Sequence, residues 1–143
     1  MKLGRLLKSI PVVRFNGRED EVIQSIHYDS RTVTPGGLFV AIEGHRLNGH
    51  QYIEEAVEKG AVAVLTEHEW SNLSALSVIQ VEDTRLSLAA IASAFYGNPH
   101  RDVCMIGITG TNGKTTTAYL IESILNVAGV ETGVIGTINY RFG

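Results

Sequence analysis

The stretch Gly110-Thr111-Asn112-Gly113-Lys114-Thr115-Thr116 sets glycines, a lysine and neighbouring threonine hydroxyls at a spacing suited to holding phosphate. Phosphate oxygens need several donors at once, and the backbone must come close to them. Gly110 and Gly113, lacking Cβ atoms, permit a turn that aims successive N–H groups and a helix N-terminus at an anion. Lys114 then reaches the β- and γ-phosphates of a nucleotide as a point charge, and the Thr115 hydroxyl supplies one oxygen to Mg²⁺. Lys114 and Thr115 are therefore the candidate catalytic residues, with Thr115 the candidate magnesium ligand. Gly110, Thr111, Asn112, Gly113, Lys114, Thr115 and Thr116 form the candidate nucleotide-binding loop.

Such a loop needs a strand before it and a helix after it. Residues 104–108 are a short apolar run of buried-strand type, and from Thr116 apolar residues recur at Leu120, Ile121, Ile124, Leu125 and Ala128, a helical spacing. The general phosphate-loop pattern G-x-x-x-x-G-K-[ST] asks for glycine where Ile108 stands; the glycines present are Gly107 and Gly110. The competing reading is a glycine-rich helix entry with a solvated lysine.

Composition bounds what the loop can serve. With 44% hydrophobic and 19% charged residues, the chain has the balance of an ordinary soluble globular protein. Twelve Lys and Arg against fifteen Asp and Glu give a net charge of -3, so no basic field argues for nucleic acid. The single cysteine, Cys104, cannot form an intrachain disulfide and reads as a buried strand residue, which fits a reducing cytoplasm. No apolar run approaches the ~18 residues of a membrane span, and charge interrupts the N-terminus before a signal-peptide core could form. The expectation is a soluble cytoplasmic protein without a membrane partner.

Upstream of the loop, residues 3–13 read as a short helix ended by Pro11, and residues 23–28 alternate like a strand. Thr34-Pro35-Gly36-Gly37 fits a type II turn, followed by a buried strand over residues 38–42. Residues 43–50 form a polar, glycine-punctuated loop of the kind that carries binding groups. A helix is predicted from Gln51, with Ile53, Ala56 and Val57 as its apolar stripe and Gly60 at its end, and residues 61–65 are the next strand. Residues 68–75 form a polar connection in which Trp70 is a packing side chain. Residues 77–81 are again strand, and Thr84 caps a helix facing inward through Leu88, Ile91, Ala92 and Phe95 and ending at Tyr96-Gly97.

Asn98-Pro99-His100 is the best linker. The division expected is a small mixed-sheet α/β domain over residues 1–97, followed over 98–143 by the start of a phosphate-loop parallel-sheet domain. Gly129 ends the helix after the loop and residues 132–138 supply a second strand, giving a βαβ unit that needs further elements to cover its sheet. The chain is thus expected to be part of a larger enzyme. His27, His50, His68 and His100 show no zinc spacing, and Asp29 with Arg31 reads as a structural ion pair.

Two segments together resemble the Mur ligases of bacterial cell-wall synthesis, most closely the MurE type. They are Thr109-Gly110-Thr111-Asn112-Gly113-Lys114-Thr115-Thr116, that family's own form of the phosphate loop, and Tyr28-Asp29-Ser30-Arg31 leading to Pro35-Gly36-Gly37-Leu38-Phe39-Val40-Ala41. Phe95-Tyr96-Gly97-Asn98-Pro99 and Ile135-Gly136-Thr137 add to the likeness, which spans the whole chain. One position departs: the family often has Asp-Gly-His where this chain has Asn48-Gly49-His50.

The resemblance implies that the first domain holds the UDP part of a substrate, through Tyr28 and Ser30 on one side and His45, Arg46 and Leu47 on the other. A hydroxyl, loop N–H groups and the forked donor of Arg46 suit uracil and diphosphate. Read alone, Ser30 is equally a turn-capping hydroxyl and His45 a solvated loop histidine. The resemblance further implies ATP and Mg²⁺ as cofactors, UDP-N-acetylmuramoyl-L-alanyl-D-glutamate and a diamino acid as substrates, and a monomer at full length. The reaction would be amide ligation through an acyl phosphate, with residues 1–143 inactive alone. The alternatives are a MurF-type ligase adding D-Ala-D-Ala, a generic phosphate-loop kinase or GTPase, and a non-catalytic nucleotide-binding module.

Overall fold

The computed structural model describes residues 1–44, 47–69, 76–138 and 140–142, and the chain divides into two compact units, Met1–Asp102 and Val103–Gly143. His45, Arg46 and Trp70 lie outside the described residues.

The first unit is built on a five-stranded mixed sheet. Its strands are β1 (Arg14–Asn16), β2 (Ser25–His27), β3 (Gly37–Val40), β4 (Ala61–Thr66) and β5 (Ser77–Gln80), in spatial order β1-β5-β4-β3-β2. Strands β2 to β5 run parallel, and β1 closes the β5 edge antiparallel, pairing Arg14 with Gln80 and Asn16 with Val78. The alternation along the central strands feeds two cores. Leu38, Val40, Ala63, Leu65 and Ile79 face one side, with Leu3 and Leu6 of α1 (Leu3–Leu7) and Ile91 of α3 (Thr84–Phe95). Phe39, Ala41, Val64 and Val78 face the other, with Ile53 and Ala56 of α2 (Ile53–Glu58). Each fully buried aliphatic side chain among these stabilises the fold by about 1.5–3 kcal/mol relative to exposure.

Local chemistry sets the joints. The Thr34–Gly37 turn forms as its residue types predict: Gly36 has φ +79° and the Gly37 N–H donates to Thr34 O at 3.0 Å. The start of α3 differs from expectation. Asp83 is the N-cap, its carboxylate accepting the Leu86 N–H at 2.9 Å, while Thr84 is the first helical residue and its hydroxyl reaches Glu67. Asp and Thr both favour this position, and the one that precedes the helical dihedrals takes it. At the far end, the Tyr96 N–H closes on Ala92 O and Gly97 follows with φ +80°.

The second unit contains α4 (Lys114–Val127), β6 (Gly133–Ile135) and β7 (Tyr140–Phe142). Gly129, φ +76°, ends α4 as the sequence suggests: the Val130 N–H bonds Leu125 O and the Gly129 N–H bonds Asn126 O, a Schellman closure. The β-pairing differs from the expected βαβ. β6 pairs antiparallel with β7, Val134 opposite Arg141, and residues 104–108 carry no ladder among the described residues. A strand exists only by pairing, and the nearby β7 offers β6 a short closure that the distant 104–108 segment does not. Arg141 reaches from β7 to the Glu122 carboxylate and lies 4.3 Å from the Tyr119 ring centre, tying the hairpin to α4. Cys104, expected to be buried, is exposed, as are Met105 and Ile106. Without a ladder partner, that segment has no sheet to be buried in.

Candidate functional site

The phosphate-loop candidate is the entry to α4. Gly113 is its N-cap, at φ +78°, a left-handed conformation that costs a side-chain-bearing residue strain. An added Cβ there would meet nothing within 4 Å, so the glycine answers to the backbone angle, not to crowding. Gly113 has no side chain to cap α4, and no acidic residue occupies the first turn of the helix. The first intrahelical bond is the Thr117 N–H to Gly113 O at 2.9 Å, so the N–H groups of Lys114, Thr115 and Thr116 precede it, directed out of the helix start. The Lys114 ammonium folds over the loop, donating to Gly110 O at 2.6 Å. The whole of 110–117 is exposed. Positive helix end, uncapped amides and a lysine therefore converge on one exposed spot, an arrangement that attracts an anion.

Thr115 sits in that first turn. Among the described residues no three His, Cys, Asp or Glu side chains cluster as a metal site, so Thr115 would contribute one neutral oxygen. That suits Mg²⁺, which keeps waters and phosphate oxygens and takes few protein ligands.

In the first unit, the parallel strands deliver three segments to one carboxyl edge of the sheet. Tyr28, Asp29 and Ser30 follow β2, residues 41–44 and 47–49 follow β3, and Glu67 with His68 follow β4. Ligands of open parallel sheets bind outside such edges. Tyr28 and Leu47 are 70% and 66% exposed. His45 and Arg46 lie outside the described residues.

Ser30 is buried, and its hydroxyl donates to Glu55 Oε2 at 2.9 Å; Lys59 holds the other Glu55 oxygen at 2.6 Å and Ser30 O at 3.1 Å. The hydrogen bonds from Lys59 and Ser30 hold the Glu55 carboxyl below its usual range. Ser30 thus retains acceptor capacity only. The sequence placed Glu54 and Glu55 early in the helix without linking either to Ser30; the signal would have been the Glu55–Lys59 spacing, which marks an exposed helical ion pair. Asp29 and Arg31 form the structural pair expected of them, Arg31 Nη2 donating to Asp29 Oδ2 at 2.6 Å. That guanidinium lowers the Asp29 pKa to about 2.

The two described arms of the segment after β3 are held together at its base. Glu43 bridges Asn48 antiparallel, the Gly44 N–H donates to Leu47 O at 2.9 Å, and the Gly49 N–H returns to Ile42 O at 2.8 Å. A Cβ on Gly49 would lie 2.6 Å from Ile42 O, so only glycine lets the chain fold back this closely.

A family signature described as "Mur ligase family, catalytic domain" matches residues 22–96, and a second, "Mur ligase middle domain", matches residues 108–143. The chain belongs to the Mur ligase family. Among curated relatives it is 44% identical over 138 residues to the UDP-N-acetylmuramoyl-L-alanyl-D-glutamate--2,6-diaminopimelate ligase of Alkaliphilus metalliredigens, covering 96% of this chain and 28% of that protein. It is 45% identical over 141 residues to the ligase of the same name from Bacillus licheniformis, again covering 96% and 28%. The chain therefore spans under a third of the length of these relatives. Among solved structures, a UDP-N-acetylmuramoyl-L-alanyl-D-glutamate--2,6-diaminopimelate ligase shares the fold at TM-score 0.75 and 23% identity, over 99% of this chain and 28% of that one. The MurF ligase of Thermotoga maritima in complex with ADP matches at TM-score 0.54 and 31% identity, over 77% of this chain and 25% of that one.

Proposed function

We propose that these residues form the UDP-binding and nucleotide-phosphate-binding portion of an ATP-dependent amide ligase of peptidoglycan precursor synthesis. The ligase joins a diamino acid to UDP-N-acetylmuramoyl-L-alanyl-D-glutamate through an acyl phosphate. The observation that carries the reading is the uncapped, lysine-bearing start of α4 at Gly113, in a chain whose 44%-identical relative bears that ligase name. The printed names of those relatives favour 2,6-diaminopimelate as the acceptor. MurF-named structures are less similar, at 25% to 31% identity.

In this reading the N–H groups at the start of α4 hold the β-phosphate of ATP. Lys114 exchanges the Gly110 carbonyl for phosphate oxygens and offsets the charge that builds on the transferring phosphoryl group. When bound, Mg²⁺ would supply charge neutralisation at the phosphates. Thr115 would hold it. Tyr28 offers a face for uracil, Ser30 an acceptor, and His45, Arg46 and Leu47 the opposite wall with donors for diphosphate. The protein's working site is cytoplasmic, and no nucleic acid or membrane is a partner.

Calorimetric titration of the chain with ATP, GTP and UDP tests the reading. ATP and UDP should bind together without competing, GTP should bind more weakly than ATP, and Lys114→Ala should lose ATP while keeping UDP. Binding of neither nucleotide, or competition between ATP and UDP for one site, would overturn it.

A further inference from the structure

The chain holds three Asn-Gly pairs, Asn16-Gly17, Asn48-Gly49 and Asn112-Gly113. In such a pair the glycine nitrogen can attack the asparagine side-chain carbon, because glycine has no Cβ to screen its N–H and its backbone turns easily. The attack needs a nitrogen that is not donating elsewhere and an asparagine side chain able to swing onto it. The three pairs differ in both respects.

Two are held. Asn16 closes β1 opposite Val78, and a Cβ on Gly17 would lie 2.5 Å from Ser77 Cα, so this backbone is pressed against β5. The Arg18 N–H beyond it donates to Ser77 Oγ at 3.1 Å. At the second pair the Gly49 N–H donates to Ile42 O at 2.8 Å. Asn48 Oδ1 accepts the His50 backbone N–H at 2.9 Å, so the same oxygen, 2.7 Å from His50 Nδ1, faces the ring proton there.

Asn112-Gly113 is the exception. Both residues are exposed, and among the described residues neither the Gly113 N–H nor the Asn112 side chain makes a hydrogen bond. Gly113 precedes the first turn of α4 with φ +78° and open space where a Cβ would stand. The attacking species is the amide anion, and the positive start of α4 favours it. The Lys114 ammonium, on Gly110 O at 2.6 Å, adds to that field.

We propose that Asn112-Gly113 is a site of spontaneous modification, at which the phosphate loop deamidates while no nucleotide covers it and so loses its hold on phosphate. The Gly113 nitrogen gives up its proton and bonds to Asn112 Cγ; the Cγ–Nδ2 bond breaks, ammonia leaves and a succinimide closes. Water then opens the ring. Cleavage between nitrogen and Cγ leaves aspartate; cleavage between nitrogen and the main-chain carbonyl leaves isoaspartate, with an extra carbon in the backbone. Either product sets a new carboxylate beside Lys114, where it competes with phosphate for the ammonium and repels phosphate itself. The inference rests on the reading that this loop binds the phosphates of ATP.

The test holds the full chain in mildly alkaline buffer, with or without ATP, and maps its peptides by mass spectrometry. Conversion at Asn112 should outrun that at Asn16, and should be at least about tenfold faster than at Asn48, where the Gly49–Ile42 bond must open first. With ATP at about ten times its Kd, about one chain in eleven is unliganded, so conversion at Asn112 should slow about tenfold. Converted chain should bind ATP about tenfold more weakly, and UDP as before. Gly113→Ala, whose methyl group screens the nitrogen, should convert several-fold more slowly; an equal rate would mean hydrolysis without ring closure and overturn the route. Conversion at Asn112 no faster than at the other two asparagines overturns the proposal, as does a converted chain that binds ATP as tightly as the unmodified one. If Asn112 converts first but unmodified chain binds no ATP, the nucleotide reading fails and the modification site stands. If ATP binds and Asn112 stays intact, the modification fails.

Discussion

The Glu67 carboxylate holds Thr84 twice, accepting its backbone N–H and its hydroxyl with one oxygen, each at 2.8 Å. Thr84 is fully buried, so this oxygen satisfies two donors at the start of α3 that water does not reach. Glu67→Ala should destabilise the chain by about 1–3 kcal/mol in urea unfolding, because both donors are left unpaired. Thr84→Val, which removes one donor and fills the space, should cost about 1 kcal/mol or less. A Glu67→Ala chain as stable as wild type would show that the contact contributes nothing.

Gly49→Ala is expected to damage the close return of the chain to Ile42 by crowding. Its Cβ would lie 2.6 Å from Ile42 O and 2.7 Å from Ile42 N, both backbone atoms that cannot rotate away. The loss should be about 1–3 kcal/mol, the usual cost of overpacking. Amide exchange at Gly44 should rise along with it, and an unchanged midpoint in urea would contradict the steric account.

Gly113→Ala acts on the other unit and through strain alone, since φ is +78° and the space around it is open. Holding alanine there costs about 1–2 kcal/mol. Calorimetry should show ATP affinity reduced about tenfold or more, with UDP affinity unaltered. Equal ATP affinity would mean that the loop binds in another conformation.

His50 sets a pH dependence whose sign follows from its lowered pKa. Between its folded pKa and the ordinary value of 6.5, the unfolded chain binds more protons than the folded one. The His50 contribution to stability is therefore complete above 6.5 and is lost as pH falls from there to the folded value. NMR titration should place its midpoint below 6.5 and report the proton on Nδ1. Asn48→Asp sets a carboxylate against Nδ1 and should move the midpoint upward. A midpoint above 6.5 in the unsubstituted chain would show that burial does not dominate at His50.

Local chemistry was legible where the deciding contact is local. Thr34, Pro35 and Gly36 specify their turn within a few residues, and Gly129 specifies the end of α4 by the one backbone angle it supplies. Phosphate-loop residue types likewise announce an anion-attracting helix start. What sequence could not show depends on distant partners. Ser30 looked like a free hydroxyl because its acceptor, Glu55, comes from a later helix. His50 looked unremarkable because histidines were judged by metal spacing, whereas its partners are an amide oxygen and a backbone N–H. Cys104 looked buried because an apolar run was taken to have a sheet around it, and periodicity cannot report whether a neighbour is there. Strand β1 escaped notice for the same reason: Arg14, Phe15 and Asn16 show no pattern of their own, and only the β5 edge makes them a strand.

That last pairing bears on how the protein is made. Because, among the described residues, Arg14–Asn16 pairs with Val78–Gln80 alone, this strand must wait, unpaired, until the last strand of its sheet has left the ribosome. Strands β2, β3 and β4 can assemble in order meanwhile, but the β5 edge is sealed late and by a long-range closure, the slow kind of step. A chain stalled before β5 emerges would hold its N-terminal segment without a partner, a nascent state for a chaperone to shield.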